Sequence, residues 1–143
     1  MDLHIARVTP DKLSECWPLC APLLDRAVAE SRGRYDLEAL RVQIFAGNQH
    51  LWIILKENDE LAAAFTTEFA NYPCRLMLSV VFCGSDDSLG GSAELWGYAM
   101  GQLKEWARLA GCSGVEAVGR RGWARLMAPQ GFEEVYITIE SEV

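Results

Sequence analysis

A chain of 143 residues, half of them apolar, has the size and composition of one globular domain spanning 1–143, not of a disordered or repetitive protein. Its formal charge of −7 argues against a general nucleic-acid binder, because phosphate neutralisation supplies most non-specific affinity. The apolar stretch from Leu76 to Cys83 falls far short of the roughly 18 residues of a membrane span, Met1-Asp2-Leu3-His4 lacks a basic leader, and the five cysteines form no Cys-x-x-Cys pair. The expectation is a soluble, unprocessed protein of a reducing cytoplasm, without a membrane or nucleic-acid partner.

Leu3 to Val8 alternates as a short strand, and Thr9-Pro10-Asp11 starts a helix in which Leu13, Trp17, Cys20, Leu23, Leu24 and Ala27 recur at the helical period. Pro18 and Pro22 interrupt that helix and predict a kink or two short helices. Cys16 and Cys20, four apart, read as small apolar core residues more readily than as half of a metal site. Asp36 caps a second helix through Leu37, Leu40, Ile44 and Phe45, which Gly47-Asn48 ends. Leu51 to Leu55 and Leu61 to Phe69 form a hairpin around the polar turn Glu57-Asn58-Asp59-Glu60. Leu76 to Cys83 is apolar on both faces, as a central strand covered on each side requires.

A loop from Gly84 to Gly91 precedes a helix from Ser92 to Ala110. Leu95, Trp96, Ala99, Met100, Leu103, Trp106, Ala107 and Ala110 fall within about 140° of its circumference. Gly111 ends that helix, Val115 to Val118 forms a strand, Gly122 to Ala128 a short helix, and Phe132 to Ile139 a last strand. The fold class is α/β, a mixed central sheet of about six strands flanked by helices in the order β-α-α-β-β-β-α-β-α-β.

This order, with a long helix after the central strand, Ala110-Gly111-Cys112 at its end and Gly131-Phe132 before the last strand, resembles the GNAT acyltransferase superfamily over nearly the whole chain. Val118-Gly119-Arg120-Arg121-Gly122-Trp123 with the later Gly-Phe also resembles small GNAT-like proteins of tailed phages and prophages. The resemblance implies an acetyl-coenzyme A site. Gly90, Gly91 and Ser92 would hold the pyrophosphate through N–H groups at a helix start, and backbone groups of Val81, Phe82 and Cys83 would hold the pantetheine.

Two departures from the family pattern stand out. The basic residue expected before the glycines is absent and Asp86-Asp87 lies nearby, where each unscreened like-charge pair at about 4 Å costs on the order of 4 kcal/mol. The tyrosine expected four residues before Gly131, which would protonate the leaving thiolate, is Met127.

The central strand contains no carboxylate. Glu68 and Glu116 on its neighbours are the candidates for a general base, each also readable as an exposed strand carboxylate. Cys83 is the candidate nucleophile, also readable as a buried thiol that neither His4 nor His50 activates. Arg120, Arg121 and Arg125 around Trp123 form the densest positive cluster and would contact phosphates or an acidic partner protein. Gly97 and Gly101 on the polar back of the long helix, each costing up to about 1 kcal/mol against Ala, would let another chain pack closely.

The expected function is therefore a GNAT-like protein of phage or prophage origin in a host cytoplasm. It would act through protein contacts or self-assembly, as a virion or assembly component with degenerate acyl-CoA motifs. The alternatives are an active acetyl-CoA-dependent N-acetyltransferase and a small adaptor or inhibitor of a host protein.

Overall fold

The computed structural model describes residues 2–86, 93–119 and 121–143, Arg121 by its backbone alone. The elements are β1 (Leu3–Arg7), α1 (Leu13–Ala29), α2 (Leu37–Phe45), β2 (His50–Lys56), β3 (Leu61–Asn71), β4 (Leu76–Ser85), α3 (Ala93–Leu109), β5 (Gly114–Ala117) and α4 (Arg121–Met127). The strands lie side by side in chain order, β1 to β4 antiparallel and β5 parallel to β4, with α3 as the crossover. Among the described residues no helix is long and apolar enough to cross a membrane.

Two helical layers cover the sheet. On one face α3 buries Leu95, Trp96, Ala99, Met100, Leu103 and Ala107 against Trp52, Phe65, Leu78 and Val80. Rings dominate this layer: Trp52 stacks on Phe65, Trp96 meets Phe65 edge-on, and Trp106 meets Trp52 edge-on. On the other face α1 and α2 bring Leu24, Val28, Leu40 and Ile44 onto Leu51, Ala64 and Phe82, and Cys20 is buried among them. Burial, reinforced by Cys16, pushes the Cys20 thiol up to about 12, as its reading as a core residue requires.

Several sequence expectations meet the structure differently. α1 is one helix through both prolines: Pro18 and Pro22 are exposed and four apart, so the carbonyls they leave without an N–H partner lie on the solvent side. Among the described residues the sheet has five strands, close to the six expected. Phe132 to Ile139 forms no strand, because its side chains find other anchors: Tyr136 reaches Tyr72, and Glu140 pairs with Arg32 and Arg34 at 2.5 and 3.1 Å. Strand propensity alone does not hold a segment on a sheet without packing against its neighbours.

β4 carries one extra residue opposite Thr66, because Phe65 faces Cys83 while Thr67 faces Val80. The Phe82 amide displaced by this bulge donates to Thr66 Oγ1 at 3.2 Å. Beyond the bulge, Gly84 lies directly beneath α1, where a Cβ would fall 1.8 Å from the Leu23 carbonyl oxygen. Gly84→Ala therefore forces two backbones apart. It is expected to cost at least about 3 kcal/mol in denaturant unfolding, the top of the overpacking range.

His50 is buried beside Trp106 and Phe69, and Thr67 Oγ1 links its Nδ1 at 2.8 Å with the donating Trp52 indole N–H at 2.9 Å. Burial, and then the nearby Arg7 charge, lower its pKa to about 4. The unfolded chain takes the proton near 6.5 and the folded protein only near 4, so stability falls as pH drops through that window, by roughly 3 kcal/mol. His50→Gln should remove this part of the pH dependence in matched urea titrations at pH 7 and pH 4.5.

Candidate active site

β5 accompanies β4 only from Met77, opposite Gly114, to Val80, opposite Ala117. β4 runs on to Ser85, so from Val81 onward no described strand takes up its β5 side. Val81, Phe82 and Cys83 occupy this parting of the strands; the Phe82 N–H is given to Thr66, and on the β5 side their main chain meets no described strand. Cys83 is a neutral thiol pushed up to about 12 by burial, which removes the thiolate that a nucleophile needs.

Glu68, Ser79 and Glu116 are direct ladder partners across β3, β4 and β5 and share one face of the sheet, the α1–α2 face. The row reaches the last position but one before the strands part. Glu68 is half-buried, and its pKa is raised by burial and then by the Glu116 charge. The Tyr72 hydroxyl, one residue past β3, donates to Glu116 Oε2 at 3.1 Å, and that bond is the main reason its own pKa is pushed up to about 12. Glu116 Oε1 is buried without a hydrogen-bond partner among the described residues. Two carboxylates, one with an oxygen left unsatisfied, form an arrangement that attracts a cationic donor.

The remaining candidates scatter. Gly90, Gly91, Ser92, Asp87 and Arg120 lie outside the described residues. Asp86 turns toward Lys56, with Oδ2 at 3.9 Å from Nζ, so its carboxylate has a counter-charge on the β2–β3 side. Met127 is buried in the α3 layer. Trp123 stands edge-on against Trp96, with ring centroids 5.3 Å apart, and packs on the core, while Arg125 is exposed. Gly97 receives the Gln130 side chain, 2.9 Å from where a Cβ would stand, so that position is used within the chain; Gly101 faces open space. His4 is exposed on β1, and no group of three or more metal-ligating side chains occurs among the described residues.

Tyr72 escaped the sequence reading. Its signal was the even-numbered alternation with Glu68 along β3, legible only once β3 is known to extend to Asn71.

At the level of sequence, no family model and no curated protein matches this chain. In three dimensions it is similar to an aminoglycoside acetyltransferase from an uncultured soil metagenomic sample, in complex with sisomicin. The TM-score is 0.73 at 13% identity, over 99% of this chain and 96% of that one. It is also similar to a Trypanosoma brucei acetyltransferase (TM-score 0.69, 13% identity, 99% and 100% covered) and to glucosamine-6-phosphate N-acetyltransferase from Arabidopsis thaliana (0.68, 12%, 99% and 99%). With a mixed sheet that parts beyond Val80, a bulged β4 and a crossover helix in the same order across whole chains, the protein has the GNAT acetyltransferase fold.

Proposed function

We propose that the chain is an N-acyltransferase that moves an acyl group from acyl-coenzyme A to a cationic amine held at the Glu68–Ser79–Glu116 row. The observation that carries this reading is the buried, unpartnered Glu116 Oε1 beside half-buried Glu68, next to where β4 and β5 part. A single ammonium group offers three N–H donors to such a pair.

Acyl-coenzyme A supplies the acyl group as an activated thioester. Val81, Phe82 and Cys83 would hold its pantetheine arm, and Gly90, Gly91 and Ser92 its pyrophosphate. Glu68 takes the proton from the bound ammonium, a task helped by its raised proton affinity. Tyr72 fixes Oε2 of Glu116, which leaves Oε1 to orient the amine. Met127 cannot donate a proton, so water protonates the departing thiolate. Positioning supplies much of the rate, because direct attack needs no covalent enzyme intermediate.

Asp86 is turned to Lys56, and Glu68 and Glu116 belong to one row. The features that favoured a contact role are partly spent inside the fold, with Gly97 under Gln130 and Trp123 on Trp96. An aminoglycoside, named for one structural neighbour, belongs to the charge class of acceptor that the row would attract.

The test is thiol release from acetyl-coenzyme A with a panel of polyamines and aminoglycosides. kcat/KM should rise with pH through the raised pKa of Glu68 and then level, because the base must be unprotonated. Glu68→Gln should lower kcat/KM about 10²-fold or more without changing the calorimetric affinity for acetyl-coenzyme A. Failure of the wild-type protein to bind acetyl-coenzyme A would sink the proposal. Tyr72→Phe should cost less, about tenfold in kcat/KM, since it frees Glu116 to turn and removes no proton acceptor.

A further inference from the structure

Among the described residues two buried side-chain oxygens lack a hydrogen-bond partner, Glu116 Oε1 and Gln49 Oε1. Folded proteins rarely leave such acceptors unpaired, because each has lost its water with nothing in return. The first belongs to the carboxylate row. The second belongs to a residue only 2% exposed that has no part in the proton transfer given to Glu68.

Gln49 stands one residue ahead of β2. His50 pairs with Thr67 in the antiparallel ladder, so the next step along that register sets Gln49 opposite Glu68. His50 turns to the rings of the α3 layer, and Gln49 turns to the other face, where its Nε2 donates to the Tyr35 hydroxyl at 3.1 Å. The row thus gains a fourth member, and its two orphaned oxygens flank Glu68. At the usual strand spacing of about 5 Å, the Gln49 main chain stands one interval to one side of Glu68 and that of Glu116 two intervals to the other.

The two acceptors differ in kind. A carboxylate oxygen at Glu116 favours a cation, whereas the neutral amide oxygen of Gln49 takes any N–H or O–H. An ammonium seated between Glu68 and Glu116 lies on the far side of Glu68 from Gln49, so the Gln49 oxygen needs a separate donor on the same molecule. We propose that Gln49 is a specificity-determining residue of the acceptor site, whose Oε1 receives a second N–H or O–H of the acceptor and so favours polyamines over monoamines. This rests on the acyl-transfer reading of the row. The connection between α1 and α2 supplies Tyr35, which also meets Phe82 edge-on with ring centroids 5.1 Å apart, so a molecule held at Gln49 lies against residues 31–35.

The test compares spermidine with n-butylamine, by calorimetry on the protein with and without acetyl-coenzyme A and by thiol release. The wild type should prefer spermidine. Gln49→Met keeps the length of the side chain and removes the acceptor, and should lower that preference about tenfold or more, in Kd and, through KM, in kcat/KM. Gln49→Glu keeps an acceptor and adds a charge, so it should raise the preference, and it decides the question where the Met variant folds poorly. Spermidine should slow amide exchange at residues 31–35 in the wild type and less in Gln49→Met. A preference unmoved by either substitution would overturn the proposal, as would a wild type that binds both amines alike. Spermidine binding that depends on Gln49 without thiol release would uphold the Gln49 contact and remove the transfer; thiol release indifferent to Gln49 would do the reverse.

Discussion

The Phe82 amide gives its hydrogen to Thr66 Oγ1, and much of the molecule's geometry follows from that one bond. An unpaired buried amide costs about 1–3 kcal/mol, so the extra residue in β4 is tolerable only because a hydroxyl stands opposite it. The bulge reverses the strand's facing. Below it Ser79 points to the α1–α2 face, and above it Phe82 and Gly84 do, with Cys83 turned to the α3 layer. β5 leaves its neighbour at the same place, just after Val80. Apolar packing below and an open side above are thus joined in β4, with the amide at the bulge satisfied.

The placement of charge follows the same division. Carboxylates collect on one face, at Glu68 and Glu116, while Asp86, just past β4, is balanced by Lys56. Burial, and then the Glu116 charge, raise the proton affinity of Glu68, the direction that favours a general base.

The order of elements was legible in the sequence because period and punctuation agree from Leu3 to Gly111: Asp36 caps α2 by accepting from the Ala39 amide, and Gly111, with φ of 89°, ends α3. Glu68 and Glu116 were legible as candidates, but their alignment was not. Register across three strands depends on the bulge, and nothing in Leu76 to Cys83 announces where it falls. Tyr72 was hidden for the same reason. Phe132 to Ile139 reads as a strand because its alternation is real, but the chain holds it through Tyr136 at Tyr72 and Glu140 at Arg32 and Arg34, contacts that no local pattern announces.

The two layers over the sheet differ in kind. The α3 layer is knit from rings, with Trp52, Phe65, Trp96, Trp106 and Trp123 in stacked or edge-on contact, each such pair contributing about 0.5–1.5 kcal/mol beyond its buried area. The α1–α2 layer is mostly aliphatic and is entered through a helix missing two of its own amide hydrogens, at Pro18 and Pro22. Local opening follows the weaker layer, so the molecule breathes on the side that holds the carboxylate row. If the proposed function holds, an amine at the carboxylate row would exchange with local opening of α1 and α2, while a ligand along β4 would lie against the ring-packed layer.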